Sequence, residues 1–141
     1  MPNPHPFFVH FPIALLTLGL ILDAWATARK DDRLWKFGWL LQAAGTVGLL
    51  IAVGTGVLAG QTQVIPEAAR GIFDVHQQGA FIGASVFSAL ALWRFGARGM
   101  MSGTRRVLFL LLYAAGVGTV LFTSWYGGEL VFRFGVGVGG N

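Results

Sequence analysis

Three histidines and a handful of other ionisable side chains must carry any chemistry this 141-residue chain performs. His10 and His76 each stand near the start of a long apolar stretch, and His5 precedes His10 in a proline-rich opening. Two imidazoles presented by separate helices suit the axial positions of one b-type haem. Each ring would need an acceptor for its second nitrogen, because that bond fixes tautomer and orientation. Arg133 could hold a haem propionate as a bidentate donor. Two other readings stay open. The histidines could be interfacial side chains whose tips reach water. Alternatively, His5, His10 and His76 could form a Zn or Cu site, since imidazole suits both metals.

Three histidines support one bis-histidine haem, so the chain alone is not expected to pass electrons between two haems stacked across a membrane. Asp23 is the remaining ionisable group inside an apolar stretch, and such a group is a functional candidate by default. It could relay a proton or bond Gln42, but pairing with Arg29, Arg94 or Lys36 is the preferred expectation. No His-Glu-x-x-His, no phosphate-cradling glycine loop after a strand and no nucleophile–base pair occurs. No catalytic residues are assigned, and a non-enzymatic role is expected.

These side chains must be positioned by four apolar stretches: 9–28, 37–60, 75–93 and 107–128. Each supplies about 20 residues, enough for a helix to cross the hydrocarbon core. Charged residues make up 11% of the chain, against about a quarter in soluble domains. The composition therefore predicts an all-α, integral membrane four-helix bundle forming one domain over 1–141. The alternation of Leu130, Phe132, Phe134, Val136 and Val138 predicts an extended tail over 129–141. The lack of cysteine excludes disulfides, thiolate metal sites and covalently attached c-type haem.

The net charge of +4 does not point to nucleic acid once the cations are placed. Arg29, Lys30, Arg33 and Lys36 lie between the first two stretches. Arg94, Arg98, Arg105 and Arg106 lie between the last two, whereas Arg70 and Arg133 stand alone elsewhere. By the positive-inside rule both basic loops are cytoplasmic and both termini periplasmic. Trp25, Trp35, Trp39 and Trp93 at one end, with Trp125 and Tyr126 at the other, fit interfacial aromatic belts. The first stretch lacks the leading positive charge of a signal peptide.

The chain reads as two pseudo-repeated helical hairpins, with Val9-His10 and Val75-His76 as matching landmarks. That register places His10 and His76 at equivalent depths. Asp74 and Gln77 fit a capping box that would put His76 in a first helical turn, and Pro12 either opens or kinks the first helix. Ala44, Gly48, Ala52, Gly56 and Gly60 form a stripe of small side chains suited to close packing in lipid, as do Ala80, Ala84 and Ser88 beside Gly79 and Gly83.

The opening His5-Pro6-Phe7-Phe8-Val9-His10-Phe11-Pro12-Ile13-Ala14-Leu15-Leu16 resembles that of a bacterial four-helix membrane family, domain of unknown function 2231. Asp23, the segment 56–60, His76 and Gly127-Gly128-Glu129-Leu130-Val131-Phe132-Arg133 also resemble it. The likeness implies a redox-associated membrane protein, because some members are fused to cytochrome-like domains. Family members tend to carry a histidine after the final arginine, where this chain has Phe134, which implies one ligand fewer or a structural subunit. Together these readings lead to a multi-pass protein of the bacterial inner membrane. It would bind one haem b between the first and third helices near the periplasmic face, with His10 and His76 as ligands, for electron transfer. The competing expectation is an accessory subunit, homo-oligomeric or packed against a larger respiratory or photosynthetic complex. The lipid bilayer is a partner in either case.

Overall fold

The computed structural model describes residues 5–137. Among them, four long helices follow in order: α1 (His5–Arg29), α2 (Asp32–Thr62), α3 (Arg70–Gly96) and α4 (Gly103–Phe132). A short 3-10 turn, Glu67–Ala69, leads directly into α3. The architecture is all-α, and every long helix is long and apolar enough to cross a membrane. Lipid-facing positions such as Leu18, Ile21, Leu50, Leu92, Leu111 and Phe122 are exposed. A helix satisfies its own backbone bonds, so such a surface can face hydrocarbon.

The helices outrun the apolar stretches at every end, since backbone bonding continues where composition changes. Pro12 neither opens α1 nor ends it; it is buried seven residues inside the helix, facing Gly48 of α2. The capping box at Asp74 and Gln77 does not form. Pro66 and the 3-10 turn start α3 at Arg70, leaving Asp74 exposed within the helix and His76 in its second turn. The tail expected to be extended from residue 129 is instead helical through Phe132. Gly135, at φ 66°, then closes a Schellman-type end. Its amide donates to Val131 O, and that of Val136 to Leu130 O. Val138 lies outside the described residues.

α2 has the clearest cap. Asp31 is extended and accepts from the amides of Arg33 (2.8 Å) and Leu34 (3.3 Å). Such caps contribute about 1 kcal/mol. Asp31→Ala is expected to lose about that much, read from reversible unfolding in mixed micelles.

α1 packs chiefly on α2 and α3 on α4, and the two hairpins meet more sparsely along α2–α3 and α1–α4. Small residues bring helices close: a side chain at Gly45 would meet Leu16 of α1 at 2.7 Å, and one at Gly60 would meet Phe73 of α3 at 2.8 Å. The expected stripe is turned at its start, because Ala44 is exposed and Gly45 takes the buried position. Near the α1–α2 and α3–α4 loops, the hairpins close on buried Leu16, Trp35, Phe87, Phe109 and Tyr113. Their rings meet edge-on, with centres 5.3–5.9 Å apart. Toward the chain termini the hairpins stand further apart around a cavity.

Candidate functional site

Two polar sites lie between the hairpins. The first is the cavity in the terminal half, of about 420 Å3, lined by residues of all four helices. Its lining is largely apolar, and among the described residues it holds no Asp, Glu, Lys or Arg. Two histidines face each other across it: the ring centres of His5 and His76 lie 6.2 Å apart, with planes at 79°.

Each ring has the same kind of seat. His5 Nδ1 donates to Ala52 O at 3.0 Å, and His76 Nδ1 donates to Thr123 O at 2.9 Å. In both cases donor and acceptor are 47 residues apart. A carbonyl oxygen only accepts, so Nδ1 carries the proton and Nε2 the lone pair in the neutral ring. Each ring rests on a glycine: a Cβ at Gly56 would lie 2.9 Å from His5 Cε1, and one at Gly127 would lie 2.9 Å from His76 Cε1. Backbone acceptors therefore orient both rings as they do in ligating histidines.

The second site is a buried ion pair in the loop half. Arg94 Nη1 and Nη2 bind the two carboxylate oxygens of Asp23, and both side chains are fully buried. Nη1 also donates to Gln42 Oε1 at 3.1 Å, and Nη2 to Trp35 O at 2.6 Å. Two guanidinium groups lie over Trp35, those of Arg94 and Arg106, each 4.0 Å from a ring centre. Its indole N–H donates to Gly99 O at 2.9 Å. Arg106 reaches Thr27 Oγ1 and Asp32 Oδ1, both at 3.0 Å.

The structure brings some of the expected residues together and separates others. His76 faces His5 across the cavity. His10 is exposed at the cavity edge, with Nδ1 donating to Pro6 O at 2.7 Å. Among the described residues no group of three or more His, Cys, Asp or Glu gathers, so His5, His10 and His76 do not assemble a three-imidazole metal site. Arg133 lies outside the cavity lining, 3.5 Å from Glu129 and over the Phe134 ring. Asp23 does pair, with the Arg94 partner and with Gln42 in the same network. Arg94 and Arg106, counted as loop cations, are core residues, and Trp35 is buried rather than interfacial.

Sequence reasoning missed Gly56, Gly127, Ala52 and Thr123 as the seats of the rings. A signal for them exists. Asp23 and Arg94 stand 71 residues apart, and the same separation divides His5 from His76, Ala52 from Thr123 and Gly56 from Gly127. Laying the chain against itself at that offset aligns all four pairs.

Fold and lipid-facing surface together define a multi-pass integral membrane protein. Residues 2–140 match a family of predicted membrane proteins, domain of unknown function 2231, and the chain belongs to that family. No curated protein and no solved structure matches it.

Proposed function

We propose that this protein binds one b-type haem between its two hairpins, with His5 and His76 as the axial ligands, and passes single electrons through it. The observation that carries the reading is the facing pair of rings, each held through Nδ1 by a backbone carbonyl. With ring centres 6.2 Å apart, His5 and His76 are close enough that both imidazoles could hold one iron atom. Two imidazoles are too few for a tetrahedral zinc site, whereas a porphyrin supplies the other four donors itself.

Bound haem would supply a one-electron iron couple. The chain's part is to fix both imidazoles, to surround the macrocycle with apolar side chains and to limit water. Among the described residues the lining offers no Lys or Arg for the propionates, and Gln63 and Gln77 are the side-chain amides that could hold them. Arg133 is therefore not assigned to them, and exposed His10 is not assigned to the iron.

The equal separations support reading the hairpins as a repeat offset by 71 residues, with a pseudo-twofold axis along the membrane normal. The basic loops support a cytoplasmic loop end and a periplasmic terminal end in a bacterial inner membrane. Electron exchange would then occur on the periplasmic side.

The test is a pair of absorbance spectra, oxidised and dithionite-reduced, of protein made with haem supplied and purified in mild detergent. An α-band is expected in wild type and in His10→Ala, and is expected to vanish in His5→Ala and His76→Ala. A colourless wild type would overturn the haem reading and leave an accessory subunit of a larger complex as the better account.

A further inference from the structure

Outward-facing side chains of α3 repeat at heptad spacing. Val75, Gln78, Ile82, Ser85, Ala89 and Leu92 lie three or four residues apart, and all six are exposed. That spacing sets them on one face of the helix, like the a and d positions of a coiled coil. The face carries two polar side chains inside an apolar stretch. Among the described residues neither Gln78 nor Ser85 has a side-chain hydrogen-bond partner. In hydrocarbon an amide without a partner is costly.

The first hairpin supplies an internal comparison. Counting back 71 residues, the separation of Asp23 from Arg94, the positions from Gln78 to Leu92 correspond to Phe7, Phe11, Ala14, Leu18 and Ile21 of α1. These too are exposed. The same outward face therefore carries mostly large apolar side chains on α1, as contact with acyl chains requires. On α3 it carries an amide, a hydroxyl and an alanine. Position in the fold does not impose that difference. Small and polar residues are what helices in lipid use to approach and hold one another.

We propose that α3 is a dimerisation helix: two copies of this chain pack α3 against α3 about a twofold axis along the membrane normal, with Gln78 bonded to its counterpart. All copies insert in the same orientation, so their α3 helices run parallel and identical residues meet at equal depth. A carboxamide both donates and accepts, so two of them satisfy each other. Ser85 lies two turns, about 10 Å, deeper on the same seam, followed by Ala89, where small side chains let the backbones close. The seam from Val75 to Leu92 bears no ionised group, so like charges do not oppose the pairing. Beside it, a groove of about 540 Å3 between α3 and α4 is walled in part by Gln78, Ile82, Ala115 and Gly118. A Cβ at Gly118 would meet nothing within 4 Å, which leaves room for side chains of the second copy. Dimerisation on this face is independent of what the cavity between the hairpins binds.

The chain has no cysteine, so single-cysteine variants report the contact within the membrane. Oxidised in native membranes, Ser85→Cys is expected to run as a disulfide-linked dimer. A residue on a twofold seam meets its own copy within the about 7 Å that a disulfide spans. Ala14→Cys, at the corresponding position of α1, is expected to stay monomeric. Energy transfer between labelled copies in liposomes should show the dissociation constant raised roughly 3- to 20-fold by Gln78→Leu. That substitution offers lipid an apolar side chain and leaves the contacts within each copy in place. Cross-linking of Ala14→Cys instead of Ser85→Cys, or of both equally, would overturn the proposal. So would a Ser85→Cys that stays monomeric, whether lipid or a different membrane protein is then found on the face. An unchanged dissociation constant in Gln78→Leu would overturn it as well, since the amide pair is part of the contact.

Discussion

Asp23→Ala is expected to destabilise the protein by about 3–5 kcal/mol, the usual cost of removing one partner from a buried ion pair. The substitution leaves the Arg94 guanidinium in the bundle interior with Gln42 Oε1 and Trp35 O as its remaining acceptors among the described residues. Much of that cost is the penalty of an uncompensated charge and not the worth of the bond itself. Arg94→Ala should be comparably severe, for it also removes the guanidinium stacked 4.0 Å from the Trp35 ring centre. Arg94→Met combined with Asp23→Leu should be much milder than either alanine variant, because apolar replacement of both partners is often neutral or better. Reversible unfolding in mixed micelles would show the contrast. If the double variant is as unstable as the single ones, the pair contributes attraction of its own and the argument from uncompensated charge is wrong.

The location of this pair gives the contrast a second consequence. Asp23 belongs to α1 and Arg94 to α3, so the bond joins hairpins that otherwise meet sparsely. In lipid there is little hydrophobic drive to hold two hairpins together, and packing and polar contacts must do so. At the other end the same two helices contribute His5 and His76. A chain that loosens at Asp23 should therefore also lose the 6.2 Å spacing of the rings. With haem held as proposed, Asp23→Ala is expected to weaken its retention although Asp23 touches neither His5 nor His76.

Much of this was legible in the sequence because the bilayer constrains the answer. Four apolar stretches have no other stable form than helices, and short loops make neighbours pack as hairpins. The helix ends were not legible. Composition marks where residues turn polar, whereas a helix stops only where its backbone bonds find other partners, as at Gly135. Asp23 was readable as a paired acid, but its partner was one of three candidate cations, and only the way the two hairpins meet selects Arg94. The expected pair was His10 and His76, from matching the dipeptides Val9-His10 and Val75-His76, whereas in the structure it is the His5 ring that lies 6.2 Å from His76. Five residues is more than a full turn, enough to place His10 at the exposed edge of the cavity. Glycines carry no chemistry in a sequence scan, so Gly56 read as part of a packing stripe and Gly127 as the end of the last apolar stretch.

Those two glycines carry the second large effect. Gly127→Ala and Gly56→Ala are each expected to abolish most of the reduced α-band while leaving the protein folded. The added Cβ would lie 2.9 Å from His76 Cε1 or His5 Cε1, closer than carbon atoms tolerate, so the ring must move. It cannot tilt freely, because Nδ1 is tied to Thr123 O or Ala52 O on the same helix as the glycine. Either that bond breaks or the ring shifts off the line joining the two imidazoles. The substitution does not weaken the helix, since alanine is favoured over glycine in a helix interior by about 1 kcal/mol. Stability and cofactor retention are therefore expected to move in opposite directions, which a general packing defect would not produce. Gly54→Ala is the control: nothing lies within 4 Å of its Cβ position, and it should keep the full α-band. If Gly127→Ala retains the wild-type spectrum, the His76 ring is not the ligand, or it is not held where its bond to Thr123 places it. Loss of the band in Gly54→Ala as well would mean that haem retention follows helix composition and not the seats of the rings.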